Sequence, residues 1–173
     1  MDNMEQCPIC GGSEFDVYEE DHNLAVMGLP RVTVIGINVY TCRNCGESFR
    51  DYPMTRSFKE LVVKSLVAVK RNLTGNELAY IRKALGYTAK KWASLIGVHN
   101  VTVSDWENEK AKPNKTAEMA LRMKASLDFE IDPHVIGSND GEPVVEMSAL
   151  PIVASMPLVS NWSNTNKRVV NGR

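Results

Sequence analysis

The 173-residue sequence predicts an α+β chain with a small N-terminal four-cysteine domain containing short β-strands, an all-α domain and a largely irregular C-terminal tail. Three observations predict this order. Two cysteine pairs flank a β-branched stretch, apolar residues then recur at helical spacing, and the last part is rich in turn residues. We expect the domain bounds at residues 1–53, a linker helix at 54–73, the all-α domain at 74–127 and an extension at 128–173.

The four cysteines of the chain form two C-x2-C pairs, Cys7 with Cys10 and Cys42 with Cys45. Each pair places two thiolates on one short loop, and a glycine follows each pair directly, where the loop must fold back on itself. Two such loops complete the four-thiolate shell that Zn²⁺ takes in structural sites. We therefore predict one structural Zn²⁺ held by these four residues.

Other uses of the cysteines remain open at this point. They could form two disulfides or a redox-active pair, or hold iron as the two C-x2-C loops of a rubredoxin do. Residues 1–6 are polar and acidic and lack an apolar signal region. A reducing, cytoplasmic compartment is therefore expected, which favours a metal over disulfides.

Residues 32–41 are rich in β-branched side chains and lead directly into Cys42, which predicts a strand that carries the second cysteine pair. Residues 15–18 and 24–27 are the expected partner strands. So small a domain has few apolar residues to bury, so the metal is expected to supply much of its folding energy.

Charge is distributed unevenly along the chain. Residues 1–53 carry three Arg against nine Asp or Glu, so their net charge is -6, and residues 127–173 carry three basic against six acidic residues, so theirs is -3. Residues 54–73 and 74–126 each carry a net charge of +4. A basic middle segment indicates a polyanion partner. No apolar run approaches the roughly 20 residues of a membrane span, so no membrane association is expected.

Helical spacing begins in the linker. Residues 54–71 place apolar side chains on one face and lysines on the other, which predicts a helix. Thr74 followed three residues later by Glu77 is a capping box that starts the next helix, and Gly86 ends it. Thr88 caps a second helix of the all-α domain, which Gly97 ends.

The following residues predict a helix-turn-helix. A third helix is expected to start at His99 or Asn100 and to stop before Asn108. Ala93, four residues before the turn glycine Gly97, is small where the third helix must cross. A fourth helix is expected at residues 116–127, with packing positions at Ala117, Ala120, Leu121, Met123 and Leu127.

These residues resemble a known family. Residues 73–78, 97–98 and 106–108 with Pro113 are similar to the Cro/repressor type of helix-turn-helix. A four-cysteine domain, a basic linker helix and this module, in that order over residues 5–126, resemble the MqsA antitoxins, also called the YgiT-type zinc-finger family. The resemblance implies a homodimeric repressor that reads a palindromic operator in double-stranded DNA, with a structural zinc domain that contacts a toxin and with base contacts from the exposed side of the third helix.

The candidate DNA-binding residues lie in or beside the helix-turn-helix. They are Thr88, Lys90, Lys91, His99, Asn100, Val101, Thr102, Ser104, Asp105, Lys110 and Lys112. Asn100 can pair bidentately with adenine and Val101 can contact a thymine methyl. The threonines and lysines of this set suit phosphates. The family carries Asn and Arg where this chain has Val101 and Asp105, so Asp105 accepts from cytosine, bonds to a neighbouring side chain or weakens DNA binding.

Together these features predict a sequence-specific DNA-binding repressor, the antitoxin of a type II toxin–antitoxin pair that autoregulates its operon. The alternatives are a stand-alone regulator from a phage or mobile element and, from a different class, a redox protein. No paired carboxylates, nucleophile–base pair or phosphate loop stands out, so no enzymatic activity is expected.

Two hypotheses fit the C-terminal extension, residues 128–173. Residues 144–159 are apolar but interrupted by prolines, and residues 161–173 are polar and expected to be disordered. The extension either packs loosely on the rest of the chain or binds a partner by strand addition or in a groove.

Overall fold

The computed structural model describes residues 5–53 and 55–149. The predicted disorder of residues 161–173, and the apolar stretch from residue 150 onward, lie outside the described residues. Within the described ranges, no helix is both long enough and apolar enough to cross a bilayer. The strands are β1 (Phe15–Leu24), β2 (Leu29–Cys42), β3 (Ser48–Arg50) and β4 (Val144–Glu146), and the α-helices are α1 (Arg56–Ala68), α2 (Gly75–Ala84), α3 (Ala89–Leu95), α4 (Asn100–Glu107) and α5 (Lys115–Asp128).

The four strands form one sheet around β2. β1 and β3 pair with β2 in antiparallel orientation, and β4 pairs with it in parallel. The strands predicted at residues 32–41 and 15–18 are confirmed. The prediction of a strand at residues 24–27 was wrong. Leu24 ends β1, and Ala25–Met27 form a 3-10 turn that closes the hairpin at Gly28, whose φ of 77° suits glycine.

The linker helix is shorter than the helix that its hydrophobic pattern predicts over residues 54–71. Thr55 caps α1 by accepting a hydrogen bond from the amide of Phe58, and the helix ends at Ala68 rather than at residue 71. Val69 is extended, with ψ of 136°, but completely buried. Residues after Ala68 therefore give up helical hydrogen bonds and bond instead to distant parts of the chain.

One hydrophobic core runs through the whole described fold. Val34 and Ile37 of β2, Phe58 and Leu66 of α1, and Ile81 of α2 belong to the same buried cluster. The linker helix thus packs between the sheet and the helical domain, so it is a central element of the core.

The helical domain follows its local signals closely. Thr74 and Glu77 form the predicted capping box, and Asn114 caps α5. Leu121 is buried as predicted. Met123 and Leu127 were predicted to pack but are 53% and 73% exposed, because they lie on the outer face of α5.

A buried ion pair on α5 holds the segment between α1 and α2. Arg122 and Glu118 have side chains only 5% and 10% exposed, with 2.8 Å between Arg122 Nη2 and Glu118 Oε1. The guanidinium also donates to the backbone carbonyls of Val67, Val69 and Arg71 at 2.6–2.8 Å. These carbonyls lie in the last turn of α1 and in the segment directly after it, where no helical donor remains for them. The pair therefore anchors the helical domain to the linker.

Arg122→Met is expected to destabilise the protein by about 3–5 kcal/mol, because it leaves Glu118 buried without its cation and removes the guanidinium donor of the Val69 and Arg71 carbonyls. Urea unfolding monitored by circular dichroism measures the loss. Arg56→Met is the matched control, since Arg56 is 80% exposed and its pairing with Glu60 is solvated, and its effect should stay within about 0.5 kcal/mol. Equal stabilities of the two variants would contradict the anchoring role.

Candidate metal centre and nucleic-acid interface

The four cysteine sulfurs converge at one point. All of them lie within 4.8 Å of one another, with Sγ–Sγ distances of 3.7 Å between Cys7 and Cys45 and 3.6 Å between Cys10 and Cys42. A disulfide needs about 2.05 Å, and all four cysteines are free. Thiolates bound to Zn²⁺ at about 2.3 Å stand about 3.8 Å apart at the corners of a tetrahedron. The structure therefore brings the predicted ligands into a shell of the size that a tetrahedral metal ion requires.

The two cysteine loops have the same backbone construction. In the first, the amide of Gly11 donates to the carbonyl of Cys7, and in the second the amide of Gly46 donates to that of Cys42, both at 2.8 Å. Both glycines have positive φ, 73° and 76°. β1 and β2 bring the loops together, since Phe15 pairs with Cys42 across the sheet.

The thiols have unlike proton affinities. A hydrogen bond from Asn44 and another from the backbone at Gly12 lower the pKa of Cys10 to about 6. The backbone at Glu47 favours the Cys45 thiolate, but desolvation and the other sulfurs outweigh it and raise the pKa of Cys45 to about 12. Four sulfurs this close cannot all ionise without a cation among them, and a bound divalent ion would supply it.

Sequence reasoning missed two residues that complete the shell. The side-chain amide of Asn44 donates to Cys10 Sγ at 3.3 Å. A Cβ on Gly12 would stand 3.4 Å from both Cys10 Sγ and Cys42 Sγ, so a side chain there would crowd the sulfurs. Their signal was their position, since Asn44 lies inside the second C-x2-C pair and Gly12 is the second residue after the first pair.

The two helices predicted to form the helix-turn-helix are present, with the predicted glycine turn between them. α3 and α4 are joined through Gly97, whose φ is 71°, and the amide of Val98 donates to the carbonyl of Ala93 at 3.0 Å. Ala93 and Val103 are each 2% exposed. Both side chains therefore lie in the interior of the helical domain, as predicted.

A second ion pair, between Arg82 and Glu107, joins α4 to α2 on its inner face. Arg82 of α2 donates to both carboxylate oxygens of Glu107, at 2.5 and 2.8 Å, and to the carbonyl of Tyr87. A Cβ on Gly75 would stand 2.4 Å from the carbonyl oxygen of Glu107, so α2 and α4 are in direct backbone contact. These contacts fix the orientation of α4 without using its outer face.

The candidate DNA-binding residues lie on α3 and its N-cap, on α4, and in the segments before and after α4. Thr88 caps α3 through the amide of Lys91, and His99 caps α4 through the amide of Val101. Thr102 and Asp105 are partly buried, and all the other candidates are exposed. Two members have further contacts: the hydroxyl of Ser104 accepts from Asn108, and the carbonyl of Asp105 accepts from the amide of Lys110.

Asp105 keeps its carboxylate available. Within residues 5–53 and 55–149, this carboxylate makes no side-chain hydrogen bond or ion pair. The expectation that it bonds to a neighbouring side chain is therefore not met in the described structure. A contact with a base and repulsion from phosphates remain the two predicted roles.

The edge strand β1 presents a third surface. Its burial pattern leaves Asp16, Val17, Tyr18 and Glu19 exposed in succession, with Val17 and Tyr18 each at least half exposed. Asp16 is paired with Arg43 of the second cysteine loop. β1 thus offers an acidic and partly apolar strand at the border of the described sheet.

Comparison with known proteins gives one match. The family model described as the antitoxin component of a bacterial toxin–antitoxin system, MqsA, matches residues 4–126. No curated protein and no solved structure matches the chain. The matched span ends inside α5, so the extension that follows lies beyond it.

Cys42→Ser is expected to release the metal and to unfold the two cysteine loops with the adjoining ends of β1, β2 and β3, while α2–α5 keep their structure. A tetrathiolate site loses affinity when one thiolate becomes a hydroxyl, and these loops have little buried apolar surface to replace it. Metal content and amide resonances measure the two effects. Intact loop resonances in metal-free protein would contradict the structural role of the metal.

Proposed function

The chain belongs to the MqsA family of antitoxin components of bacterial toxin–antitoxin systems, and we propose that it is a cytoplasmic, non-enzymatic repressor that binds the operator of its own operon and a toxin. The observation that carries the DNA-binding part is the exposed start of α4 on a helix-turn-helix whose rear face is fixed by Arg82 and Glu107. A helix held in this way presents the same side chains to every DNA molecule, as sequence readout requires.

The charges around α4 support a duplex partner. Lys90 and Lys91 are exposed before the turn, and Lys110 and Lys112 are exposed after α4. Phosphate contacts on both sides of the recognition helix would fix its register in the major groove. Asn100 and Val101, at its first turn, are then the side chains that read bases.

The outer face of α5 supports a second copy as partner. Met119, Met123 and Leu127 are spaced four residues apart and are 46–73% exposed. A continuous apolar stripe of this kind is typical of an interface. Two copies related by a twofold axis match the symmetry of a palindromic operator.

We assign a single structural Zn²⁺ to the four cysteines. Their sulfur spacing fits a closed tetrahedral shell, and four protein thiolates leave no open position for substrate or water. Zinc has no redox chemistry, which accords with a purely structural role.

The toxin is assigned to the N-terminal domain through β1. The segment 1–53 has a net charge of -6, from three Arg against nine Asp or Glu, and β1 exposes both acidic and apolar side chains. A partner with a basic, partly apolar surface complements this strand electrostatically.

DNA recognition is tested by two alanine variants. Asn100→Ala should cost about 1–3 kcal/mol on the operator and relax preference at one base pair, because Asn100 is assigned to a base. Lys91→Ala should weaken all sequences alike and lower the salt slope, because Lys91 is assigned to a phosphate. Titration of labelled duplexes at several salt concentrations measures both effects and should give two chains per operator. A uniform loss from Asn100→Ala would rule out its role in base reading.

Toxin binding is tested by charge reversal on β1. Glu19→Lys should weaken binding to the protein encoded by the neighbouring gene roughly tenfold, or about 1.4 kcal/mol, and make the association less salt-dependent. Calorimetric titration measures the affinity. Glu146→Lys is the matched control, because Glu146 is exposed on β4, at the opposite side of β2. Equal losses in both variants, or a neighbouring gene product that does not bind the wild type, would contradict this assignment.

A further inference from the structure

Residues 129–146, here called the strap, follow α5 and pass over both domains. Ile131 is 7% exposed, and its amide donates to the carbonyl of Ser126 at the end of α5. Pro143 and Val145 are buried at the other end of the strap, against the sheet. The strap therefore begins on the helical domain and finishes on the cysteine domain.

The middle of the strap pairs with the end of the linker helix. The amides of Gly137 and Asn139 donate to the carbonyls of Val67 and Ala68, at 3.2 and 2.8 Å, and the carbonyl of Asn139 accepts from the amide of Lys70 at 2.8 Å. These are the backbone groups that α1 would use if it continued. The strap thus takes over the hydrogen bonds of the terminated helix.

The end of the strap becomes a strand of the sheet. The amide of Thr33 donates to the carbonyl of Pro143 at 3.0 Å, and Val144–Glu146 then pair in parallel with residues 33–35 of β2. Val145, 2% exposed, points into the shared core, whereas its neighbour Val144 is 45% exposed. Strand addition in this chain is therefore made by the extension to its own sheet.

A row of ion pairs accompanies the strap. Glu142 contacts Arg31 of β2 and, at 2.8 Å, Arg71 of the linker. Arg71 also pairs with the buried Glu77 of α2, whose carboxylate accepts from the amide of Thr74. The side chain of Glu142 is 47% exposed, so its ion pairs help to orient the strap but contribute little to its stability. Backbone pairing and the burial of Val145 and Ile131 hold it in place.

We propose that the strap locks the cysteine domain and the helix-turn-helix domain into one rigid body, in a part of the chain that lies beyond the family match. Residues 69–73 are the covalent connection between the domains, α1 packs against both of them, and the strap adds backbone pairing to each side of this joint. With the strap in place, a protein bound on β1 and DNA bound by α4 hold a fixed relative position. This consequence rests on the proposed function, whereas the rigid joint does not.

Nuclear spin relaxation of backbone amides in the full-length, metal-loaded protein tests the joint. In the wild type, the amides of β1 and β2 and those of α2–α5 should share one rotational correlation time. Val145→Asp places a charge in the core and should release β4, so the two groups should separate into two correlation times. Val144→Asp is the matched control, because the same change on the exposed side of β4 should leave one common time.

Two results would overturn the proposal: separate correlation times in the wild type, or one common time in Val145→Asp. Retained metal and retained β1–β2 resonances show that the sheet of this variant is still folded. If the metal or these resonances are lost, the same measurement is made on Val145→Thr, which keeps the shape of the side chain. Two correlation times in that variant then support the proposal, and one common time overturns it. The measurement uses neither toxin nor DNA, so failure of the proposed function leaves its result unaffected.

Discussion

The buried pair of Arg122 and Glu118 is the interaction on which the arrangement of the molecule depends. Its guanidinium satisfies three carbonyls of the linker, while Glu118 also accepts from the amide of Leu73 at 3.2 Å. A buried charge is costly unless it is paired and fully hydrogen-bonded. Arg122 and Glu118 pair with each other, and their remaining hydrogen bonds go to the backbone of the segment between α1 and α2. The capping box at Thr74 begins directly after the anchored segment, so the start of the helical domain is placed by the same contact.

The metal site that we propose at the four cysteines would impose the second constraint, on a different part of the chain. The buried side chains of β2 contact α1, but the cysteine loops are largely exposed, with Cys10 and Cys45 on the surface. Packing therefore stabilises one end of the sheet, and we propose that metal ligation stabilises the other. This division explains why loss of a thiolate and loss of the Arg122 anchor are expected to damage separate regions.

Local signals in the sequence predicted what depends on neighbours in the chain. Thr74 with Glu77, Ala93 with Gly97 and the two C-x2-C pairs each act within a few residues. The structure contains the capping box, the glycine turn and the cluster of four sulfurs that they predict. What the sequence could not predict depends on distant contacts. α1 stops at Ala68 because residues 137–139 and Arg122 bind its last carbonyls. The sequence also did not predict β3, which pairs with residues 39–41 of β2, just before the second cysteine pair. The exposure of Met123 and Leu127 is likewise decided by what packs on α5, which helical periodicity cannot reveal.

The most direct measurement is binding of the protein to a labelled duplex from the region upstream of its own gene, against a scrambled duplex, over a salt series. We expect strong preference for the upstream duplex that survives moderate salt, because base contacts from α4 add to phosphate contacts. Equal and salt-sensitive binding to both duplexes would contradict sequence-specific autoregulation. In that case Val101 and Asp105 do not support base readout, and the N-terminal domain carries the function of the protein.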